Sequence, residues 1–186
     1  GVLAAAPAVL SRGARAQDQG RISHGVAMHG APALPADFPH FPYVNPSARK
    51  GGRLSIAFQG TFDGLNPFNL RAGSAAQGLS GNVFQTLMTR SLDEPFTLYG
   101  LIAESIETDE DRSYAVFRLD KRARFSDGAA ITAADILFTF DLLKTRGRPQ
   151  QRIAYGLVRS IVAVDDRTVR YDLTGANDRE LPLTLA

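Results

Sequence analysis

The chain has 186 residues, enough for one domain or a piece of a larger one, and its 44% hydrophobic and 22% charged residues exclude both a disordered polymer and a membrane bundle. Lys and Arg number 21 against 19 Asp and Glu, a formal charge of +2, and the basic residues are scattered, so there is no nucleic-acid footprint. Cysteine is absent, which removes disulfides, thiolate metal sites and cysteine nucleophiles.

The first segment, residues 1–16, reads as the remnant of a signal peptide. An alanine-rich apolar run from Val2 to Leu10 is followed by Ala14-Arg15-Ala16-Gln17, in which the small residues fit an A-x-A cleavage site with cutting after Ala16. Cleavage removes Arg12 and Arg15 and leaves acids and bases balanced. A disordered Ala-rich terminus is the bland alternative. No later run reaches the roughly 18 apolar residues of a membrane span.

Residues 17–50 carry Pro32, Pro35, Pro39, Pro42 and Pro46, which fix φ and discourage helix before them. The segment is expected to be an extended arm whose rings, Phe38, Phe41 and Tyr43, lie against the body. Gly51-Gly52 marks a turn, and Arg53-Leu54-Ser55-Ile56-Ala57-Phe58 then alternates polar with apolar, which predicts a first core strand. It runs into a loop of Gly, Asp, Asn and Pro residues, Gln59 to Pro67. Leu79, Val83, Phe84, Leu87 and Met88 recur at helical spacing and predict a helix within Gly78–Arg90, with Leu87 and Met88 filling the core.

Past the loop at Asp93-Glu94-Pro95, a strand centred on Ser105-Ile106-Glu107 and a second over Tyr114–Leu119 flank the turn Asp109–Arg112, a predicted hairpin. Ser126-Asp127-Gly128 is another turn. Thr132 with Asp135 three residues on predicts a helix start, with Ile136, Leu137, Phe140 and Leu143 as the apolar face and Gly147 with Pro149 as the end. Val158–Val164 and Thr168–Leu173 form a second predicted hairpin around Asp165-Asp166-Arg167. An apolar segment begins at Asn177.

Several blocks together resemble the extracellular solute-binding proteins of peptide and nickel ABC importers (family 5), most closely the Yej-type oligopeptide and microcin C binding group. They are His24-Gly25, Pro35–Phe38, His40–Pro46 and Lys50–Gly52; Gly60–Asp63 with Leu65–Phe68; Leu101–Ser105; and Phe125–Gly128 leading to Ile131–Ile136. The proline-aromatic arm before the glycine pair points to the Yej-type group. The resemblance implies an α/β fold of mixed α+β character, like the type II periplasmic binding proteins. In it two lobes close over the ligand, and the first lobe is completed by residues far downstream. On that pattern the chain is an N-terminal fragment: arm at 17–50, first-lobe core strand and loop at 51–77, an additional α/β subdomain at 78–175, and the start of a next element at 176–186, with the second lobe absent.

The implied function is capture of a peptide or peptide-like solute in the periplasm and its delivery to the membrane permease subunits of an ABC importer, by a monomer with no cofactor, no metal and no catalytic residue. The candidate ligand-binding residues are Gln59, Thr61, Phe62, Asp63 and Asn66, because a loop at the end of a core strand can face a cleft and these offer polar groups beside a ring. The competing reading of the same loop is a domain-entry turn in which Asp63 and Asn66 satisfy nearby backbone amides. Phe125–Gly128 and Thr132–Asp135 read as structural devices. Rival functions are a periplasmic metal-dependent enzyme using His24, His29 and His40, whose spacing lacks the i, i+4 of a helical zinc site, and an interaction module. No G-x-S-x-G, phosphate-loop or H-E-x-x-H motif occurs.

Overall fold

Apolar alternation turns into hydrogen-bonded sheet here wherever two such segments are near neighbours in sequence. The computed structural model describes residues 20–68, 75–175 and 178–186. In chain order its elements are β1 (Arg21–Ser23), β2 (Gly25–Ala27), α1 (Leu79–Asn82), β3 (Met88–Arg90), β4 (Thr97–Gly100), β5 (Ala103–Thr108) and β6 (Tyr114–Leu119). There follow α2 (Ala133–Arg146), α3 (Pro149–Gly156), β7 (Val158–Asp165), β8 (Thr168–Leu173) and α4 (Leu181–Leu185). A five-stranded sheet runs β1-β5-β6-β8-β7 and a three-stranded one runs β2-β4-β3, with antiparallel pairing in both.

Both predicted hairpins form, and β6 lies between β5 and β8 with Ala115 opposite Tyr171 and Phe117 opposite Val169. Because side chains alternate across a strand, Ala115, Phe117, Leu119, Val169, Tyr171 and Leu173 all face inward and are buried. Over them packs α2, which starts where Thr132 and Asp135 form a capping box; the Asp135 carboxylate accepts the Thr132 backbone N–H at 2.8 Å. Phe140 meets Tyr171 at 5.8 Å and Tyr155 at 5.2 Å between ring centres, and Phe117 meets Tyr171 at 5.6 Å. These edge-on rings tie sheet to helices. Burial pushes the Tyr171 phenol far above its ordinary value.

The other face of the sheet is polar. Arg118 pairs with Glu107 at 2.6 Å, Tyr114 donates to the same carboxylate at 3.3 Å, and Arg170 lies 4.1 Å from the Tyr114 ring centre while bonding Asp172. Ser160 completes that row by donating to Asp172 at 2.7 Å.

The arm lies on the small sheet as expected. Phe38 and Phe41 pack edge-on against the fully buried Tyr99 of β4, at 5.1 Å and 5.6 Å. The Tyr99 hydroxyl donates to Glu94 at 2.6 Å and accepts from Leu34 N at 3.0 Å, and His24 Nε2 bonds Leu34 O at 2.8 Å. Its beginning is also more ordered than proline content suggests, since β1 joins β5 and β2 joins β4.

Two expectations need correction, and a third is only extended. Arg53–Phe58 forms no strand, and Leu54, Ile56 and Phe58 are 83%, 60% and 52% exposed. A strand needs a ladder partner, and among the described residues none lies beside it. Helix over Gly78–Arg90 is confined to Leu79–Asn82, because Met88 is drawn into pairing with Gly100 and, with Leu87, into the core, overriding the helical periodicity. Pro149 does not only follow the end of α2 but opens α3 from its first position, where its missing N–H costs nothing. The predicted cleavage segment and Asn177 lie outside the described residues; Leu181, Leu183 and Leu185 of the closing apolar segment are buried in α4.

Candidate functional site

The glycine pair before the loop has φ of 100° at Gly51 and 97° at Gly52, the left-handed region that side chains disfavour, although no turn forms at the pair as the sequence reading expected. From there the chain runs exposed through Asp63. Two ties hold the loop in place: the Gln77 side chain donates to Gln59 O at 3.2 Å, and Gly64 bridges to Ala75, with Ala76 N donating to Gly64 O at 3.0 Å. At its far end Phe68 stacks edge-on against Phe84 at 5.1 Å.

The five sequence-predicted residues divide between the two readings. Asn66 Oδ1 accepts the backbone N–H of Phe68 at 2.9 Å, the local turn of the structural reading. Asp63 makes no hydrogen bond or ion pair among the described residues, and Phe62 is 62% exposed beside it. Among the described residues the Gln59 side-chain amide has no hydrogen-bond partner while its carbonyl is held by Gln77, and Thr61 is exposed. A carboxylate, a ring and an amide thus face outward on a tethered loop. Such a set can accept hydrogen bonds from an ammonium or peptide N–H and cover an apolar side chain.

The histidines of the rival reading do not converge. His24 bonds Leu34 O, His40 Nδ1 bonds Phe41 O at 3.0 Å, and among the described residues no group of three His, Asp or Glu side chains could hold a metal ion. A concavity away from the loop, lined by Arg21, Arg112 and Arg179 among others, carried no signal in the sequence, because its three cations come from distant segments with no shared motif.

Residues 97–186 match the model of the bacterial extracellular solute-binding proteins, family 5 Middle. Over 169 residues the chain is 49% identical to the peptidoglycan-binding protein YepA of Agrobacterium fabrum (strain C58), covering 88% of this chain and 28% of that protein. Over 180 residues it is 37% identical to a protein of the same strain named "Probable peptide-binding protein YejA", covering 97% of this chain and 29% of that one. Among solved structures, NikA from Brucella suis in complex with Fe(III)-EDTA aligns with a TM-score of 0.50 and 25% identity, over 59% of this chain and 21% of that chain. The chain spans under a third of the length of the curated relatives it matches.

Proposed function

We propose, from the premise that this chain belongs to the family 5 bacterial extracellular solute-binding proteins, that the whole protein is the substrate-binding component of an ABC importer. Its ligand is a peptide or a peptide-bearing fragment of peptidoglycan, a choice supported by relatives named for binding peptidoglycan and, as probable, peptide. The match of residues 97–186 to the family supports this reading more than any other observation. That family binds solutes outside the cytoplasm, and among the described residues no helix is long and apolar enough to cross a membrane.

The finer proposals follow from that frame. Residues 1–16 act as a signal peptide that directs the protein to the periplasm, where it works as a monomer and delivers its cargo to the permease. Residues 51–77 open the first lobe, and 78–175 form its additional subdomain. The relatives are more than three times as long as the matched segment, which leaves room for strands that pair with Arg53–Phe58 and for a second lobe. Ligand binds between the lobes, with Gln59, Thr61, Phe62 and Asp63 on the first-lobe side and Asn66 shaping the loop. Enclosure matters because binding sites gain affinity by burying most of the ligand surface, and lobe closure then reports occupancy to the transporter.

Calorimetric titration of the full-length protein with tri- to pentapeptides and with a muramyl peptide tests this. One equivalent of ligand is expected, with affinity reduced at least tenfold by the double substitution Phe62→Ala, Asp63→Ala. Unchanged affinity in that variant removes the loop from the site, and absence of binding to either ligand class rejects the proposed cargo.

A further inference from the structure

We propose that the hollow bounded by β1, β2 and the β5–β6 turn binds one oxyanion, a carboxylate or phosphate group, at a site separate from the Gln59–Asn66 loop. The hollow measures about 460 Å³, and none of the five loop residues lines it. That size lies within the roughly 300–1,000 Å³ typical of small-ligand sites.

Three arginines line it: Arg21 from β1, Arg112 from the β5–β6 turn and Arg179 from the segment before α4. Among the described residues no ion pair joins any of them to a carboxylate. Arg112 is the centre of the argument. It has φ of 54°, the single non-glycine residue with positive φ among those described, and backbone strain of this kind persists where the surroundings over-determine a residue. Its Nη2 donates to Ala27 O of β2 at 3.0 Å, which fixes the guanidinium across the gap between the two sheets. Its Nη1 is buried and has no hydrogen-bond partner among the described residues. An arginine cannot shed its charge to relieve that cost, so the guanidinium stays cationic beside the hollow.

The charges around it point to an anion. Burial first, then repulsion from Arg179, destabilise the protonated Arg112, and only Asp109 opposes them. Asp109 is already occupied, since its carboxylate accepts both the backbone N–H and the hydroxyl of Ser113. The other acid on the wall, Glu110, is exposed. An oxyanion seated between Arg112 and Arg179 would relieve the repulsion and supply acceptors to a cation already held in place, the pairing in which arginine outperforms lysine.

The test is calorimetric titration of the full-length protein with inorganic phosphate and with N-acetyl-alanyl-alanine, the C-terminal amide of the latter serving as control. One equivalent of at least one acid probe is expected to bind, and which one binds identifies the source of the oxyanion. Arg179→Gln is expected to weaken that binding at least tenfold and Arg112→Gln to abolish it, whereas the Phe62→Ala, Asp63→Ala protein binds it normally. Arg179 is exposed and makes no hydrogen bond among the described residues, so its variant keeps the test readable should Arg112→Gln not fold. Absence of stoichiometric binding by both acids, equal binding of the amide, or unchanged binding in both arginine variants overturns the proposal. Because the loop variant is scored separately, failure of this site and failure of the importer reading are distinguishable.

Discussion

Arg53–Phe58 and Tyr114–Leu119 carry the same alternating pattern and meet opposite fates. The second is the centre of a five-stranded sheet, with Phe117 fully buried. The first leaves Leu54 83% exposed and makes no ladder. What separates them is partners. Tyr114–Leu119 finds β5 across a five-residue turn and β8 beyond α2, α3 and β7, whereas no described strand pairs with Arg53–Phe58. Alternation states which face wants burial; it does not supply the neighbour that buries it.

Substitutions on the two segments make the contrast measurable. Phe117→Ala empties a site between sheet and helix and should cost the chain about 3–5 kcal/mol in chemical denaturation; a loss under about 1 kcal/mol would mean that the sheet core is not packed as described. Asp135→Ala removes the acceptor for Thr132 N at 2.8 Å and Thr132 Oγ1 at 2.7 Å and should cost about 0.5–2 kcal/mol, with peptide affinity of the full-length protein unchanged.

The body can also be probed by titration. The Arg122 side chain and backbone, bonded to Asp120 after β6, lower the Asp120 pKa to about 2. A carboxyl depressed on folding contributes stability that is present above its ordinary value near 4 and is lost as pH falls toward 2. Arg122→Gln should therefore move the Asp120 titration, followed by NMR, upward toward its ordinary value and lessen the acid sensitivity between those limits. A midpoint still near 2 would assign the depression to the backbone alone.

The smallest effect is expected on the other side of the contrast. Phe58→Ala in this chain should shift stability by no more than about 0.5 kcal/mol, as at an exposed site. In the full-length protein the same change should cost on the order of 3 kcal/mol, as at a buried one. Equal small effects in both would show that no strand ever covers the segment.

Local signals were legible wherever the physics is local. Both hairpins, the turn at Asp109–Arg112 and the capped start of α2 were readable because alternation, turn residues and a capping pair act over a few positions. The pairing of β1 with β5 and β2 with β4 was not, because three-residue strands among prolines carry too little periodicity to announce a partner 70 to 90 residues away. Nor was the conversion of Met88 from a helical position to a strand, which the neighbouring Gly100 decides. In the candidate loop, residue type alone left Asp63 and Asn66 equivalent; the Asx turn that occupies Asn66 and leaves Asp63 outward appears only in three dimensions. The sequence by itself determined the secondary-structure demands of 101–147 and 158–173 and the family resemblance, both written in short contiguous blocks, but not α3 between them. Tertiary structure alone decided which apolar faces are covered and which charges converge, as at Arg21, Arg112 and Arg179, because burial and electrostatic coupling depend on distances in space that residues far apart in the chain do not encode locally.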